Sequence, residues 1–248
     1  MSMLIRSELL KLRTSRTFQW GLVATLLLTA LVITQSITAA GRPGGTPLDT
    51  AEGVRTVMSA GASGGLLLLV VGILAAAGEF RHGTATATFL ITPDRRSVLV
   101  AKLTAALLAG LLVALAACAV TLAIGVPWLS AEGVDAGSHA GQVASCLGGS
   151  IAATALAGAT GVGIGALLRN QTTAVTAALT WTVLIEGLAL GFLPELYRWL
   201  PGGAAAALTG APATGETLPL WGGLLLSVGY ALALATAGTY ALQRRDVA

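Results

Sequence analysis

Charge is scarce in this chain of 248 residues, of which 10% are Asp, Glu, Lys or Arg and 55% are hydrophobic. A mean hydropathy of +0.82 leaves too little polar surface for a protein that folds in water. The composition therefore predicts a polytopic membrane protein. Its net charge of +3 is spread between apolar runs rather than gathered in a patch, so we expect no nucleic-acid partner.

Cysteine and histidine, which supply metal ligands and much of enzyme catalysis, occur only twice each. Cys118 and Cys146 lie in or beside apolar runs without Cys-x-x-Cys or Cys/His spacing, which favours helix packing over a disulfide or a metal site. His82 and His139 lie in polar connectors. Neither can serve Ser63, although Gly61-Ala62-Ser63-Gly64 resembles the GxSG motif of intramembrane serine proteases, so we interpret that motif as a packing site.

A nucleotide-binding loop is also missing. The run Gly161-Val-Gly-Ile-Gly165 continues into Ala-Leu-Leu within an apolar helix, where it cannot cradle phosphate. Neither a His-Glu-x-x-His motif nor a pair of intramembrane carboxylates is present for metal chemistry. We therefore predict no catalytic residue, no metal site and no cofactor bound by this chain.

Long apolar runs are what the chain has in abundance. A helix of 20 to 25 residues rises roughly 30 to 37 Å, which is enough to cross the hydrocarbon core of a bilayer. The sequence predicts an all-α protein, a single transmembrane domain over residues 1–248, with six spans. They cover residues 18–40, 57–77, 98–126, 143–168, 172–193 and 220–242.

The N-terminal residues 1–17 precede the first span with a mixed pattern. Four apolar residues share one helical face, and basic residues occupy the remainder, which predicts an amphipathic helix at the membrane interface. The apolar residues are Leu4, Ile5, Leu9 and Leu12. Thr38-Ala39-Ala40 could end a signal peptide, but the apolar run from Phe18 is long for one and its amphipathic preface is unusual, which favours retention.

The basic residues predict how the chain is oriented. If the N-terminus is cytoplasmic, eleven of the fourteen Lys and Arg residues lie inside, and only Arg42, Arg55 and Arg198 lie outside. Short loops rich in Lys and Arg stay in the cytoplasm. We therefore expect both termini, and the connector between the second and third spans, to face the cytoplasm.

That connector, residues 79–96, is the most distinctive polar segment. A turn at His82-Gly83 is followed by Phe89-Leu90-Ile91, so we expect a short helix between Gly83 and Leu90 along the membrane surface. Thr92-Pro93-Asp94 predicts the start of the third span, with Thr92 as N-cap, Pro93 in the first turn and Asp94 matched to the helix dipole. Arg95, Arg96 and Lys102 should snorkel towards the surface from that span.

Inside the predicted spans, one acid and several glycines stand out. Gly158, Gly161 and Gly165 in the fourth span predict close packing against a neighbouring helix or a partner copy. Glu186 lies fifteen residues into the fifth span, where an ionised carboxylate is costly, so we expect it to be protonated, partnered or facing water. It is either a polar element of a transport path or gate, or a structural hydrogen-bond partner of another span or loop.

The chain resembles, over nearly its whole length, the membrane permease of a type 2 ABC transporter (the ABC exporter-like family). The resemblance rests on the leader Leu4 to Arg16 and on Glu79-Phe80-Arg81-His82-Gly83-Thr84. It continues through Phe89-Leu90-Ile91-Thr92-Pro93-Asp94-Arg95-Arg96 into Ala101-Lys102, and ends at Trp199-Leu200-Pro201-Gly202. The Glu-x-Arg-x-Gly-Thr element with the following Pro-x-Arg-Arg and Ala-Lys is its most specific part.

This resemblance implies that the leader is a connecting helix and that the connector is a coupling helix seated in a separate ATP-binding subunit, where ATP and Mg²⁺ bind. It also implies short re-entrant helices over residues 194–219. Coupling to the ATPase is expected from Glu79, Phe80, Arg81, Gly83, Thr84, Phe89, Pro93, Arg95 and Arg96. These residues could alternatively anchor the loop by charge alone.

The sequence therefore predicts a permease that pairs with a second permease copy, identical or different, and with an ATP-binding subunit in a bacterial plasma membrane. Two lysines against twelve arginines, in an Ala/Gly-rich chain, favour a high-GC bacterium such as an actinomycete. By analogy with such systems, the expected cargo is a hydrophobic or amphipathic small molecule or peptide, as in drug efflux or antibiotic self-resistance. Two alternatives stay open: a membrane scaffold that transports nothing, and an ion-coupled carrier that uses Glu186.

Overall fold

The computed structural model describes residues 1–40, 42, 46–81, 83–84, 90, 94–211 and 215–244. Within these residues the regular structure is helical throughout and no strand forms, which confirms the predicted all-α class. We number the α-helices in chain order. They are α1 Ser2–Thr14, α2 Arg16–Ala40, α3 Ala51–Met58, α4 Gly65–Arg81, α5 Arg95–Ala131, α6 Ala140–Leu168, α7 Gln171–Phe192, α8 Pro194–Tyr197, α9 Pro201–Thr209 and α10 Leu220–Arg244.

Six helical stretches of the described chain are long and apolar enough to cross a membrane, as predicted. Their mean hydropathies lie between 1.6 and 2.7. Helices α2, α5, α6, α7 and α10 each form one of these stretches. The second combines α3 and α4 over Ala51–Arg81.

Helix α6 lies at the centre of the bundle, in contact with α4, α5, α9 and α10. Its glycines make this possible, because without a Cβ a helix can approach its neighbour's backbone. A Cβ on Gly161 would overlap the carbonyl oxygen of Leu69, and one on Gly165 would lie 2.7 Å from that of Ile73. Gly158 faces α5. The structure therefore places these glycines against helices of the same chain.

The second span is broken rather than continuous. A 3-10 turn over Ser59–Ala62 separates α3 from α4. The hydroxyl groups of Ser63 and Thr29 lie 2.9 Å apart at this break, and a Cβ on Gly64 would overlap the side chain of Thr25. Ser63 thus joins α2 to the broken span. An uninterrupted helix over residues 57–77 does not form, and α2 contacts the chain at this break.

The fifth span is also irregular, because a π-helical turn covers Thr180–Ile185. The chain then leaves the bundle end through α8 and returns through α9. A Cβ on Gly149 would overlap the carbonyl oxygen of Leu208, and one on Gly223 would lie 2.8 Å from that of Ala204. Helix α9 is therefore packed tightly between α6 and α10 at this end.

The start of the third span differs from the prediction. Asp94, not Thr92, is the N-cap of α5: its carboxylate accepts a hydrogen bond of 3.1 Å from the backbone N–H of Arg96 and another from the Ser97 hydroxyl. These bonds hold the pKa of Asp94 below its usual value. A short carboxylate at an N-cap satisfies the free N–H groups of the first turn. Thr92 and Pro93 lie outside the described residues.

Both cysteines are free and buried. The thiol of Cys118 lies 3.8 Å from the carbonyl oxygen of Leu147, on α6. Cys146 packs in an apolar cluster with Ile33, Val54 and Leu129, where α2, α3, α5 and α6 meet. The cysteines therefore occupy helix-packing positions.

Candidate functional site

Four charged side chains form a cluster at the end of the bundle where the 79–96 connector begins and ends. Lys102 of α5 lies 2.7 Å from a carboxylate oxygen of Glu8 and 2.6 Å from one of Glu79. Lys11 of α1 lies 2.6 Å from the same Glu8 and 3.0 Å from the same Glu79. The two lysines of the chain thus bridge the same two acids, and we call these four residues the ionic cluster.

The ionic cluster is buried on one side and exposed to solvent on the other. The side chain of Lys102 is 8% exposed, whereas that of Lys11 is 50% exposed. Burial acts to raise the pKa of Glu8, but the charges and hydrogen bonds of Lys102 and Lys11 outweigh it, so that its pKa lies below the usual value. Burial likewise acts to lower the pKa of Lys11, and its bonds to Glu8 and Glu79 raise it overall. Both shifts favour the charged forms of Glu8 and Lys11 near neutral pH.

Two of these residues depart from the sequence expectations. Lys102 does not snorkel to the surface, because two carboxylates neutralise it in place. Glu8 was absent from the predicted site residues, although it lies in the stripe of Leu4, Ile5 and Leu9. An acid within the apolar face of an amphipathic helix is costly to bury without a cation beside it. The position of Glu8 in that face therefore predicts a buried Lys or Arg partner.

A second group of contacts joins α4 to the start of α7. The guanidinium group of Arg81 donates a hydrogen bond of 3.4 Å to the side-chain oxygen of Gln171. Arg169, in the short link between α6 and α7, lies 5.4 Å above the ring of Phe80. Arg169 also has a φ of 55°, the single positive value among the non-glycine residues described. This backbone conformation turns the chain sharply between the two spans.

Two arginines hold the end of the last span. Arg169 donates a 2.9 Å hydrogen bond to the carbonyl oxygen of Ala241, and Arg95 donates one to that of Leu242. The last carbonyl groups of a helix have no partners within it and carry partial negative charge, so cations there are stabilising. Arg95, expected at the ATPase contact, is thus engaged at the C-terminal end of α10.

The remaining predicted coupling residues are placed only in part. Gly83 adopts a φ of 67°, a left-handed conformation that suits glycine in a turn. The Thr84 hydroxyl lies 3.4 Å from the carbonyl oxygen of Glu79, and Arg96 is exposed. Phe89 and Pro93 lie outside the described residues, as does most of the segment expected to form a short helix.

Glu186 lies at the opposite end of the bundle and is only 4% exposed. Its Oε1 accepts a hydrogen bond of 2.9 Å from the indole N–H of Trp181. The carboxylate also faces the first turn of α9, because a Cβ on Gly202 would overlap its Oε2. The π-helical turn directly before Glu186 rotates it towards α9, where the free N–H groups of a helix start favour an anion.

Glu186 also lines a cavity of about 210 Å³. The cavity lies between α4, α6, α7, α9 and α10, and most of its walls are alanine, glycine and leucine side chains. Thr160, Thr182, Ser227 and Tyr230 add hydroxyl groups. In the part of the chain that the structure describes, no group of three or more His, Cys, Asp or Glu residues could hold a metal ion.

A comparison with protein families assigns the chain to one of them. Residues 4–213 match the family described as ABC-2 family transporter protein, and this match includes the ionic cluster, the connector and Glu186. A search of curated proteins found no match. Permeases of this family sit in a membrane and act with an ATP-binding partner. Because the match covers most of its length, the chain belongs to the ABC-2 family of transporter proteins and is a permease subunit.

Proposed function

We propose that this permease exports a hydrophobic or amphipathic small molecule or peptide across a bacterial plasma membrane, in the manner of drug efflux or antibiotic self-resistance. In this proposal both termini and the 79–96 connector face the cytoplasm, where the connector seats in a separate ATP-binding subunit. The excess of Lys and Arg at that end of the bundle supports this orientation.

The observation that carries the proposal is the way the base of the connector is tied to the bundle. On its incoming side, Glu79 is held by Lys102 and Lys11, so α1 and α5 are bound to the end of α4. On its outgoing side, Arg95 is bound to the end of α10. A push on the connector would therefore be transmitted through these contacts to α1, α4, α5 and α10.

The contact with the ATPase is tested by charge reversal at Arg96. This residue is exposed and its backbone N–H donates a hydrogen bond to Asp94, whereas the Arg95 side chain is bound to α10. We expect Arg96→Glu to abolish co-purification of the ATP-binding subunit while membrane insertion stays intact. The matched control is Arg6→Glu, a reversal at an exposed arginine of α1 at the same end. If the ATP-binding subunit still co-purifies with the Arg96→Glu variant, Arg96 serves only to orient the chain in the membrane.

We also propose that two permease copies assemble, each with one ATPase subunit. Helix α7 is a candidate for the contact between copies, because its residues Trp181, Val183, Leu184 and Leu188 are large, apolar and exposed on the isolated chain, where lipid or a second copy would cover them. In the reconstituted assembly, ATP hydrolysis should rise when cargo is added. Hydrolysis that never responds to a cargo would favour a scaffold, and transport without any ATPase would favour an ion-coupled carrier.

A further inference from the structure

The cavity beside Glu186 combines two properties that rarely occur together. Its walls are largely apolar, formed by residues such as Leu66, Leu69 and Leu156. Among the described residues that line it, Glu186 is the single carboxylate, and no Lys, Arg or His is present. An apolar cavity with one buried charge has the features of a ligand site, because the charge fixes the orientation and the walls supply contact area.

Glu186 has hydrogen bonds, but no counter-charge among the described residues. Trp181 is a neutral donor, and across the described part of the chain no Lys or Arg forms an ion pair with Glu186. Arg198, the arginine of the neighbouring 194–219 segment, is paired with Glu195 and Glu216 instead. A buried carboxylate is costly as an anion unless hydrogen bonds or a nearby cation compensate its charge, and at Glu186 the hydrogen bonds are provided by neutral groups. A cation bound beside Glu186 would therefore supply the opposite charge that its carboxylate lacks among the described residues.

The volume limits what that cation can be. An apolar cavity of about 150 Å³ holds a benzene molecule. The half-open cavity of about 210 Å³ therefore has room for at least one ring with a short side chain. A hydrated metal ion would find mostly hydrocarbon walls here, and an anion would be repelled by Glu186.

We propose that this cavity binds a small amphipathic cation, with one ring or branched body against the leucine and alanine walls and a protonated amine at the carboxylate of Glu186. Binding needs this chain alone. That such a compound is the cargo, or the leading part of a larger cargo, rests on the transport function proposed above.

The test compares two probes of nearly equal shape, 2-phenylethylamine, which is protonated at neutral pH, and 2-phenylethanol. Binding of each tritiated probe to the full chain in nanodiscs is measured after subtraction of empty nanodiscs. We expect the amine to bind at least about tenfold more tightly, as a charge-assisted hydrogen bond provides. Equal affinity for the two probes would overturn the proposal.

Two variants locate the site. Glu186→Gln keeps the shape of the side chain and should abolish the preference for the amine, whereas Glu132→Gln, at an exposed acid outside the cavity, should keep it. Ala157→Leu fills the cavity with Glu186 intact and should remove the binding of both probes. A preference that persists in Glu186→Gln, or binding that persists in Ala157→Leu, would refute the assignment even if one variant folds poorly.

Two results distinguish the cation site from the proposed ATP-driven transport. If the amine binds at Glu186 but no ATP-binding subunit ever associates with the chain, the cavity assignment stands and the ATP-driven function falls. If ATP-driven transport occurs and Glu186→Gln transports amines and alcohols as the native chain does, the function stands and the cation site falls.

Discussion

Replacing each lysine in turn tests the ionic cluster, because both lysines bridge the same two acids from opposite sides. Lys102→Met removes the buried cation and leaves Glu8 and Glu79 close together, with only the half-exposed Lys11 between them. Removing one partner of a buried ion pair typically costs about 3–5 kcal/mol. Lys11→Met removes a cation whose side chain is 50% exposed, and exposed pairs contribute about 1 kcal/mol or less.

The assay is the unfolding of the full chain in mixed micelles, followed by circular dichroism as denaturant is added. We expect Lys102→Met to lose several times more stability than Lys11→Met. A triple variant, Glu8→Gln with Glu79→Gln and Lys102→Met, should recover much of the loss, since it leaves no unpaired buried charge. Equal losses for the two single lysine variants would contradict the description of Lys102 as the buried centre of the cluster.

Three further predictions follow from the same geometry. The pKa of Glu8 is lowered by Lys102 and Lys11, so its contribution to stability is complete above the ordinary pKa of a glutamate and is lost as the pH falls through the lower folded value. A melting-temperature profile should show this loss of stability in acid, and the loss should be smaller in Glu8→Gln. Gly161→Ala should destabilise the bundle by about 1–3 kcal/mol, because its Cβ meets the carbonyl of Leu69, whereas Gly148→Ala on the same helix, with open space around it, should be neutral or slightly stabilising in the same unfolding assay. Gly202→Ala should displace Glu186 and loosen α9, which would be measured as faster amide hydrogen exchange in α9. Gly187→Ala, where an added Cβ has no neighbour within 4 Å, should leave that exchange unchanged. Unchanged exchange in Gly202→Ala would mean that Glu186 does not hold α9.

The spans follow from the sequence because run length and polarity are local properties. Apolar runs of more than twenty residues admit one structure in a bilayer, so six helices are predicted without knowledge of how they pack. The N-cap of α5 was misplaced by two residues. Thr92 and Asp94 both suit a cap, and the choice depends on where Arg96 and Ser97 direct their donors.

Irregular winding and charge pairing do not follow from the sequence in the same way. The break at Ser59–Ala62 arises where α2 approaches Gly64, and the π-helical turn before Glu186 has no local signature in Thr180–Ile185. The pairing of Glu8 with Lys102 joins residues 94 positions apart. Such contacts depend on how helices rotate and cross, which hydropathy does not determine.

The role of Glu186 is predicted only in part from the sequence. The sequence marks it as costly inside a span, and two uses, a transport element or a structural bond, remain open from its position alone. The structure adds Trp181 and the start of α9 as its neighbours and places it on a cavity wall. Both uses are compatible with one carboxylate, since one of its oxygens accepts from Trp181 and the other faces α9.

The account depends most on one contact, that of the 79–96 connector with the ATP-binding subunit. Leu90 is 78% exposed on this connector, and Trp221 is 66% exposed at the opposite end of the bundle. A photoreactive phenylalanine at each position, irradiated in the assembled transporter, measures the contact directly. The account predicts a crosslink to the ATP-binding subunit from position 90 and none from position 221. A crosslink from position 221, with none from position 90, would contradict it.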